Sequence, residues 1–151
     1  MRNLWRIFST VLGVIFRHPV LGVTAIAILP DERLVLVRAQ GSDRWGLPGG
    51  LVDWGEDVPT ALRREIQEET GLVVVRVERL VGIYSAADRD PRLHSINVSI
   101  ATRVQGEFAI GDELEIVEVR AFTPAEVPWG RLRHDHDRQL QDYLSGATTI
   151  A

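Results

Sequence analysis

Three glutamates, Glu65, Glu68 and Glu69, stand together in the segment REIQEE. At helical spacings of three and four residues, like charges repel and weaken a helix by a few tenths of a kcal/mol per pair. With about 100° between consecutive residues, the three carboxylates span roughly 100° of arc, and Glu69 projects into the apolar stripe of the same helix. A carboxylate against a core is costly unless an ion pair or a metal compensates it. We therefore predict that Glu69 is buried and that a cation compensates the group.

A divalent cation would remove the repulsion between these carboxylates. Mg²⁺ prefers oxygen ligands and is usually held by a few carboxylates together with substrate phosphates, and Mn²⁺ is a possible substitute. Glu56, at the start of the helix, could add a ligand or an outer contact, and the glycines of PGG, residues 48–50, let backbone carbonyls approach a metal. The alternative is a solvated acidic face paired with neighbouring arginines, which accounts for Glu68 better than for Glu69.

Composition and charge narrow the classes of protein to consider. The 151 residues are 45% hydrophobic and 25% charged, which is typical of one compact globular domain. The net charge of −4 and the pI near 5.6 argue against binding of a nucleic acid polymer, since such proteins present a basic face. The chain has no cysteine, which excludes disulfides and thiolate metal ligands.

The elements around the glutamates alternate between strands and helices. Asp57 is a suitable N-cap and Gly71 a suitable C-terminal stop, so residues 57–70 are predicted to form the helix that carries the glutamates. A loop is predicted over residues 41–50 and a closing helix over residues 131–146. Runs of β-branched residues bounded by turn formers predict strands over residues 20–29, 33–39, 72–85, 94–104 and 115–122. This order indicates an α/β sandwich with a mixed sheet.

The N-terminal segment is a separate unit in this prediction. Its apolar residues recur at spacings of three and four, the pattern of one helical face, and the pair His18-Pro19 ends it. The segment is too short to span a bilayer, and its polar residues occupy one helical face, so membrane insertion is not expected. We expect an amphipathic helix over residues 1–17 that packs on the domain of residues 18–151 or on a second subunit, which makes a homodimer possible. Attachment at a membrane interface is the alternative.

The stretch from residue 50 to residue 72 resembles the Nudix hydrolase signature. That signature is glycine, five residues, glutamate, seven residues, arginine-glutamate-aliphatic, one residue, glutamate-glutamate, one residue, and glycine-aliphatic. Every position matches, through Gly50, Glu56, Arg64, Glu65, Ile66, Glu68, Glu69, Gly71 and Leu72. The preceding RWGLPGG and the strand order extend the resemblance over roughly residues 20–145. The resemblance implies an α/β/α sandwich with a mixed β-sheet and a location in the cytoplasm.

The same resemblance implies hydrolysis of a nucleoside diphosphate linked to another group, by attack of a metal-activated water on a phosphorus. By analogy, Glu65 and Glu69 bind the main cation, and Glu68 shares a second ion or the water. The carbonyl of Gly49 completes a coordination shell. Arg64 orients the glutamates through charge-assisted hydrogen bonds.

The general base varies among Nudix hydrolases and in several of them comes from a loop outside the signature. Two glutamates in the segment GDELE, Glu113 and Glu115, are the candidates here. Their alternative role is that of solvated loop charges.

The segment after the signature resembles members that cleave ADP-ribose, many of which carry RDPR before a strand. Arg89 and Arg92 of this segment could grip a phosphate or a carboxylate, and their alternative role is a charged hairpin. Those members usually have a proline fifteen residues after the signature, where this chain has Ala87. Further substrate-binding candidates, which have ordinary packing as their alternative, are Arg44, Trp45, Tyr84 and His94.

Two other functions fit the same signature. One is hydrolysis of nucleoside triphosphates or dinucleoside polyphosphates, which needs the same glutamates and a different base pocket. The other is a non-catalytic sensor of nucleotide-sugars, although an intact signature argues against it. Substrate specificity depends on loops, and a shared fold does not indicate which substrate those loops bind. Our prediction is a Mg²⁺-dependent hydrolase of the pyrophosphate bond in a nucleoside diphosphate derivative, ADP-ribose or a related nucleotide-sugar.

Overall fold

The computed structural model describes residues 18–151, together with Thr10. Apart from Thr10, the helix predicted over residues 1–17 therefore lies outside the described residues. The strands are β1 (Val20–Ile28), β2 (Leu34–Ala39), β3 (Trp45–Gly46), β4 (Gly49–Leu51), β5 (Val73–Tyr84), β6 (Ser95–Gln105), β7 (Ile116–Phe122) and β8 (Thr149–Ile150), and the helices are α1 (Val58–Thr70) and α2 (His136–Leu144). None of the described helices has the length and apolar content needed to cross a membrane.

The strands form one mixed sheet, as predicted. Its order is β3-β2-β1-β6-β5-β8, with β4 paired to β1 and β7 paired to β2. The central pair, β1 with β6, is parallel from Val20↔Ser95 to Ile28↔Arg103, whereas β1 with β2 and β5 with β6 are antiparallel. A parallel pair needs a long crossover connection, and here the connection from β1 to β6 contains α1.

One helix covers each face of the sheet. Side chains alternate along β1, so that Val23 and Ala25 pack with Leu62 and Ile66 of α1. The next residue, Ile26, packs on the other face, in the cluster that includes Leu132 of the loop before α2 and Leu140 of α2. This period of two follows from the pleat of a strand. The predicted α/β/α sandwich is confirmed.

Helix α1 forms where the local signals predict it. Asp57 accepts a hydrogen bond from the backbone N–H of Thr60 at 2.8 Å, and Gly71 ends the helix in the left-handed conformation with φ 76°. Only a residue without a Cβ adopts that conformation readily. The helix buries Leu62 and Ile66, and it also buries Glu69, which confirms the prediction that a carboxylate enters the apolar stripe.

Two of the predicted boundaries are wrong. The closing helix begins at His136 rather than at residue 131, because the preceding residues pair with β3 through a bridge between Leu132 and Trp45. His134 also takes a positive φ of 49°, which a helix does not allow. The segment 41–50, predicted as a loop, contains β3 and the first two residues of β4, because β3 pairs with β2 and β4 pairs with β1.

Candidate active site

Two consecutive glycines let β4 lie between β1 and α1. A Cβ on Gly49, whose φ is 152°, would lie 2.1 Å from the carbonyl oxygen of Val23. A Cβ on Gly50 would lie 2.4 Å from Oε1 of Glu65. Strand β4 can therefore approach the acidic face of α1 only because both positions lack a side chain.

The carboxylate of Glu69 lies at this junction and is only 6% exposed. Its Oε2 accepts a hydrogen bond of 2.9 Å from the backbone N–H of Gly49. Burial raises the pKa of Glu69 to about 8, and the neighbouring carboxylate of Glu65 adds to that rise while the Gly49 amide opposes it. Burial likewise raises the pKa of Glu65, against the opposing effect of Arg64. Two adjacent carboxylates therefore lie where their charged forms are poorly compensated.

Arg64 connects the other acidic residues of the site. Its guanidinium donates to both carboxylate oxygens of Glu56, at 3.0 and 2.9 Å, and to Oε1 of Glu65 at 2.7 Å. It also donates to Oε2 of Glu68 at 3.3 Å and to the carbonyl oxygen of Leu51 at 3.1 Å. The hydrogen bonds to Glu56 are the main cause of a raised Arg64 pKa, and the same contacts lower the pKa of Glu56. The guanidinium thus holds several acidic side chains in one arrangement.

The donor set fits a hard divalent cation. In residues 18–151, no group of three acidic or histidine side chains already converges on a point where a metal could be held. The guanidinium of Arg64 donates to Glu65 and Glu68, whereas Glu69 accepts from the backbone N–H of Gly49. Within the same residues Glu69 has no ion-pair partner, so a buried carboxylate is left for a cation to compensate, and all the available ligands are oxygens.

Glu65 and Glu69 lie at the wall of a cleft with a volume of about 660 Å³. Glu65, Glu69 and Arg64 line one side of it, and Arg92, Glu115 and Arg133 are also among the lining residues. A volume of this size suits a nucleotide-sized ligand.

The structure brings some of the predicted site residues to the cleft. Gly49 and Arg92 line it, and Arg92 is 67% exposed while bonded to Asp90 through two nitrogens. Of the two candidate bases, Glu115 lines the cleft and Glu113 does not. Both are exposed.

Other predicted substrate-binding residues lie elsewhere or already have partners. Tyr84 is buried, donates to Asp142 at 2.8 Å, and lines a smaller cavity instead of the cleft. Arg44 is exposed and does not line the cleft. Trp45 packs edge-on against Phe122 with ring centroids 5.0 Å apart. In addition, the ring of exposed His94 lies 3.1 Å from the carbonyl oxygen of Ser85.

Arg89 belongs to a polar network beneath the cleft. It donates to both carboxylate oxygens of Asp135, at 2.9 and 2.8 Å, and its side chain is only 8% exposed. Asp135 accepts from Gln139, which in turn accepts from Thr24 at 2.6 Å, and Asn97 donates to Thr24 at 2.8 Å. The network ties α2 to the central strands β1 and β6, which gives Arg89 a structural contact as well as a place at the wall of the cleft.

Sequence reasoning missed two cleft residues, Arg133 and His136. Both lie just before or at the start of α2, far along the chain from the glutamates. His136 is buried and its Nδ1 accepts a hydrogen bond of 2.9 Å from the backbone N–H of Leu47. The only signal in the sequence was the cluster RHDHDR, and its spacing does not reveal which residue faces which strand.

The buried His136 should contribute stability that acid removes. Burial lowers its pKa to about 3, so between pH 3 and about 6.5 the unfolded chain binds more protons than the folded one. The stability that this histidine contributes is present above about pH 6.5 and is lost as the pH falls. From pH 7 to pH 5 the free energy of unfolding should drop by roughly 2 kcal/mol on this account.

Urea unfolding of His136→Asn at the two pH values checks this expectation. The variant should be less stable at pH 7 but should lose less stability on acidification, since asparagine does not titrate. The matched control is His94→Asn, which removes an exposed histidine and should keep the wild-type loss. Equal losses in the two variants would contradict the expectation.

Comparison with known proteins agrees with this fold. Residues 18–143 match the family model described as the NUDIX domain. An ADP-ribose pyrophosphatase of Methanocaldococcus jannaschii is 38% identical over 134 residues, covering 86% of this chain and 76% of that protein. A putative 8-oxo-dGTP diphosphatase of Bacillus subtilis is 29% identical over 129 residues, covering 85% and 83%. The chain belongs to the Nudix family of hydrolases.

Solved structures show the same relationship. A MutT NUDIX hydrolase from Burkholderia pseudomallei superposes with a TM-score of 0.72 at 28% identity, covering 83% of this chain and 98% of that one. An ADP-ribose pyrophosphatase from Streptococcus suis superposes with a TM-score of 0.72 at 27% identity, covering 89% and 100%.

Proposed function

We propose that this Nudix hydrolase cleaves the pyrophosphate bond of ADP-ribose or a related nucleoside diphosphate derivative, with Mg²⁺ as its cofactor. The observation that carries the proposal is the pair of partly or fully buried carboxylates, Glu65 and Glu69, at the wall of a nucleotide-sized cleft. The substrate class is supported by the relative from Methanocaldococcus jannaschii, which is named an ADP-ribose pyrophosphatase.

The residues of α1 and β4 would hold the cation. In this proposal Glu65, Glu69 and the carbonyl of Gly49 are its ligands, Glu68 serves a second ion or the water, and Mn²⁺ is an accepted substitute. The bound cation would neutralise phosphate oxygens and lower the pKa of an attacking water. Arg64 orients Glu56 and Glu65 through its charge-assisted hydrogen bonds.

Glu115 is the better of the two candidate bases. Its side chain lines the cleft, and its charge is one of the influences that raise the pKa of Glu65 and of Glu69. Glu115→Gln should therefore lower kcat by roughly 10²–10⁴-fold, the range that a general base contributes. Glu113→Gln should lower it far less, because Glu113 lies outside the cleft. Steady-state kinetics of both variants at saturating Mg²⁺ is the measurement, and a larger loss in the Glu113 variant would reverse the assignment.

The reaction itself is tested by product release from a panel of substrates. The panel contains ADP-ribose, other nucleotide-sugars, nucleoside triphosphates including oxidised purines, and dinucleoside polyphosphates, each with Mg²⁺ and with chelator. We expect chelator-sensitive cleavage of ADP-ribose to AMP and ribose 5-phosphate. Preferred cleavage of triphosphates would instead support the second candidate function, hydrolysis of nucleoside triphosphates. The relative from Bacillus subtilis, which is named a putative 8-oxo-dGTP diphosphatase, favours that candidate. Binding of ADP-ribose without cleavage of any compound would favour a sensor.

Strand β5 supports the further proposal of a homodimer. Its Val73, Val75 and Val77 are 56%, 58% and 39% exposed. Within residues 18–151, no strand pairs with the outer edge of β5 before Gly82. An edge strand with exposed apolar side chains is a ready site for association. We place this assembly in the cytoplasm, where nucleotides and Mg²⁺ are available.

Mass in solution checks the dimer. The full chain should show twice its mass of 16.9 kDa, and Val75→Lys on β5 should show the mass of one chain. Deletion of residues 1–17 tests the other possible interface, the N-terminal segment. If both changes leave the mass of the wild type unaltered, neither surface forms the interface.

A further inference from the structure

Arg133 is held in place by contacts that its neighbours make with β3. Its backbone N–H donates to the carbonyl oxygen of Trp45 at 2.8 Å, and the preceding residue, Leu132, forms a β-bridge with the same tryptophan. Three residues further on, His136 accepts from the N–H of Leu47. The segment that carries Arg133 is therefore attached on both sides of this residue, to β3 through Trp45 and to the residue after β3 through Leu47.

The side chain of Arg133 also passes through a space that Gly46 leaves open. A Cβ on Gly46 would lie 3.2 Å from Cδ of Arg133 and 3.1 Å from Nδ1 of His136, so the arginine stem crosses the strand where it has no side chain. Arg133 lines the same cleft as Glu65 and Glu69. A charge held in this way loses little conformational freedom when it binds a ligand.

The guanidinium of Arg133 lacks a partner among residues 18–151, where it makes neither a side-chain hydrogen bond nor an ion pair. The other cleft arginines differ: Arg64 bonds to Glu56, Arg89 to Asp135, and Arg92 to Asp90. Burial lowers the pKa of Arg133, and the charges of Glu69 and Arg92 are the next influences on it. A half-buried cation without a hydrogen-bond acceptor is costly, and an anionic ligand in the cleft would compensate it.

We infer that Arg133 binds the diphosphate oxygens of the substrate, beside the carboxylates that hold the cation. The inference rests on the proposed function for the identity of the anion. The planar guanidinium presents paired donors that match phosphate oxygens, which a single ammonium does not. Arg133 is then a substrate-binding residue that acts on the same diphosphate as the cation but from a different element of the fold.

The test compares Arg133→Met and Arg133→Lys with the control Arg131→Met, which removes an exposed arginine from the same loop. Calorimetry with ADP at saturating Mg²⁺ measures binding, and ADP-ribose kinetics measures kcat/KM. We expect Arg133→Met to bind ADP about 10–100-fold more weakly, as expected for loss of hydrogen bonds to a charged group, and to lower kcat/KM in proportion. Arg133→Lys should recover part of the affinity, and the control should match the wild type.

A separate titration with Mg²⁺ alone distinguishes this role from a structural one. If Arg133 served only to balance Glu69, Arg133→Met would alter Mg²⁺ affinity and leave ADP affinity at the wild-type value, which would overturn the inference. Equal ADP affinity in the Arg133 and Arg131 methionine variants would also overturn it, even if the wild type hydrolyses ADP-ribose. A wild type that binds ADP but cleaves no compound would refute the proposed function, while the ADP titration would still decide the role of Arg133.

Discussion

Glu69→Gln should lower turnover by roughly 10²–10³-fold or more, the loss expected when a preorganised charged group at the reacting centre is removed. Glutamine keeps the shape of the side chain and can still accept the hydrogen bond from the Gly49 amide. It removes the negative charge that the proposed cation needs, and this charge lies in a site that is only 6% exposed. The fold should therefore survive while Mg²⁺ affinity and kcat fall together.

The same substitution should also change how the stability of the metal-free protein depends on pH. Because the folded pKa of Glu69 is raised to about 8, the folded state binds more protons than the unfolded chain between about pH 4.5 and pH 8. The stability that Glu69 contributes should consequently decline as the pH rises through this window, opposite in sign to the contribution of His136, and Glu69→Gln should lack this decline.

Urea unfolding in chelator at pH 6 and pH 8.5 measures the pH dependence of stability. Steady-state kinetics with varied Mg²⁺ measures the expected loss of turnover and of Mg²⁺ affinity. Glu107→Gln, at an exposed loop position, is the control and should behave as the wild type in both. Near-normal turnover of Glu69→Gln would remove Glu69 from the site. An unchanged pH dependence would mean that its carboxylate is compensated without a metal.

Arg64→Lys should lower kcat/KM by roughly 10–100-fold, the loss typical of residues that orient metal ligands. Lysine keeps the positive charge but is a single donor group, whereas Arg64 donates at once to Glu56, Glu65 and Glu68 and to a backbone carbonyl. The carboxylates would then lose their common orientation. Arg64→Met should lose more activity than Arg64→Lys, because it also removes the charge.

The adjacent Arg63 supplies a matched control for this experiment. It is exposed, and among the residues that the structure describes its side chain donates to the carbonyl oxygen of Pro59 alone, one turn earlier in the same helix. Arg63→Lys should therefore leave both Mg²⁺ affinity and kcat/KM close to the wild type. Mg²⁺ titration separates the effects: if Arg64→Lys binds the ion normally and turns over normally, the arginine does not position the ligands.

Features that depend on neighbours along the chain were predictable from the sequence. Helix α1 needs Asp57 as its N-cap and Gly71 as its stop, and both signals lie at its ends. The angle of Glu69 relative to Leu62 and Ile66 follows from the helical repeat, so its burial could be predicted before the partners across the core were known. The strands of the central sheet were likewise predicted to within a residue or two of their ends, because buried strands are marked by runs of β-branched residues.

Features that depend on distant pairing were not predictable. The start of α2 is set by the bridge from Leu132 to Trp45, which joins residues far apart in sequence, and helical periodicity carries no information about such a partner. The choice between Glu113 and Glu115 as the cleft residue depends in the same way on how a loop packs against α1.

The sequence by itself therefore determined the acidic helix, its caps, the mixed sheet and the Nudix family, since these follow from local spacing or from a contiguous signature. Only the tertiary structure decided what surrounds the acidic helix: the glycine pair that brings β4 against Glu65, the contacts that engage Arg89 with Asp135, and the position of Arg133 in the cleft. The physical reason is that burial and electrostatic compensation depend on every group within a few ångströms, whichever part of the chain supplies it.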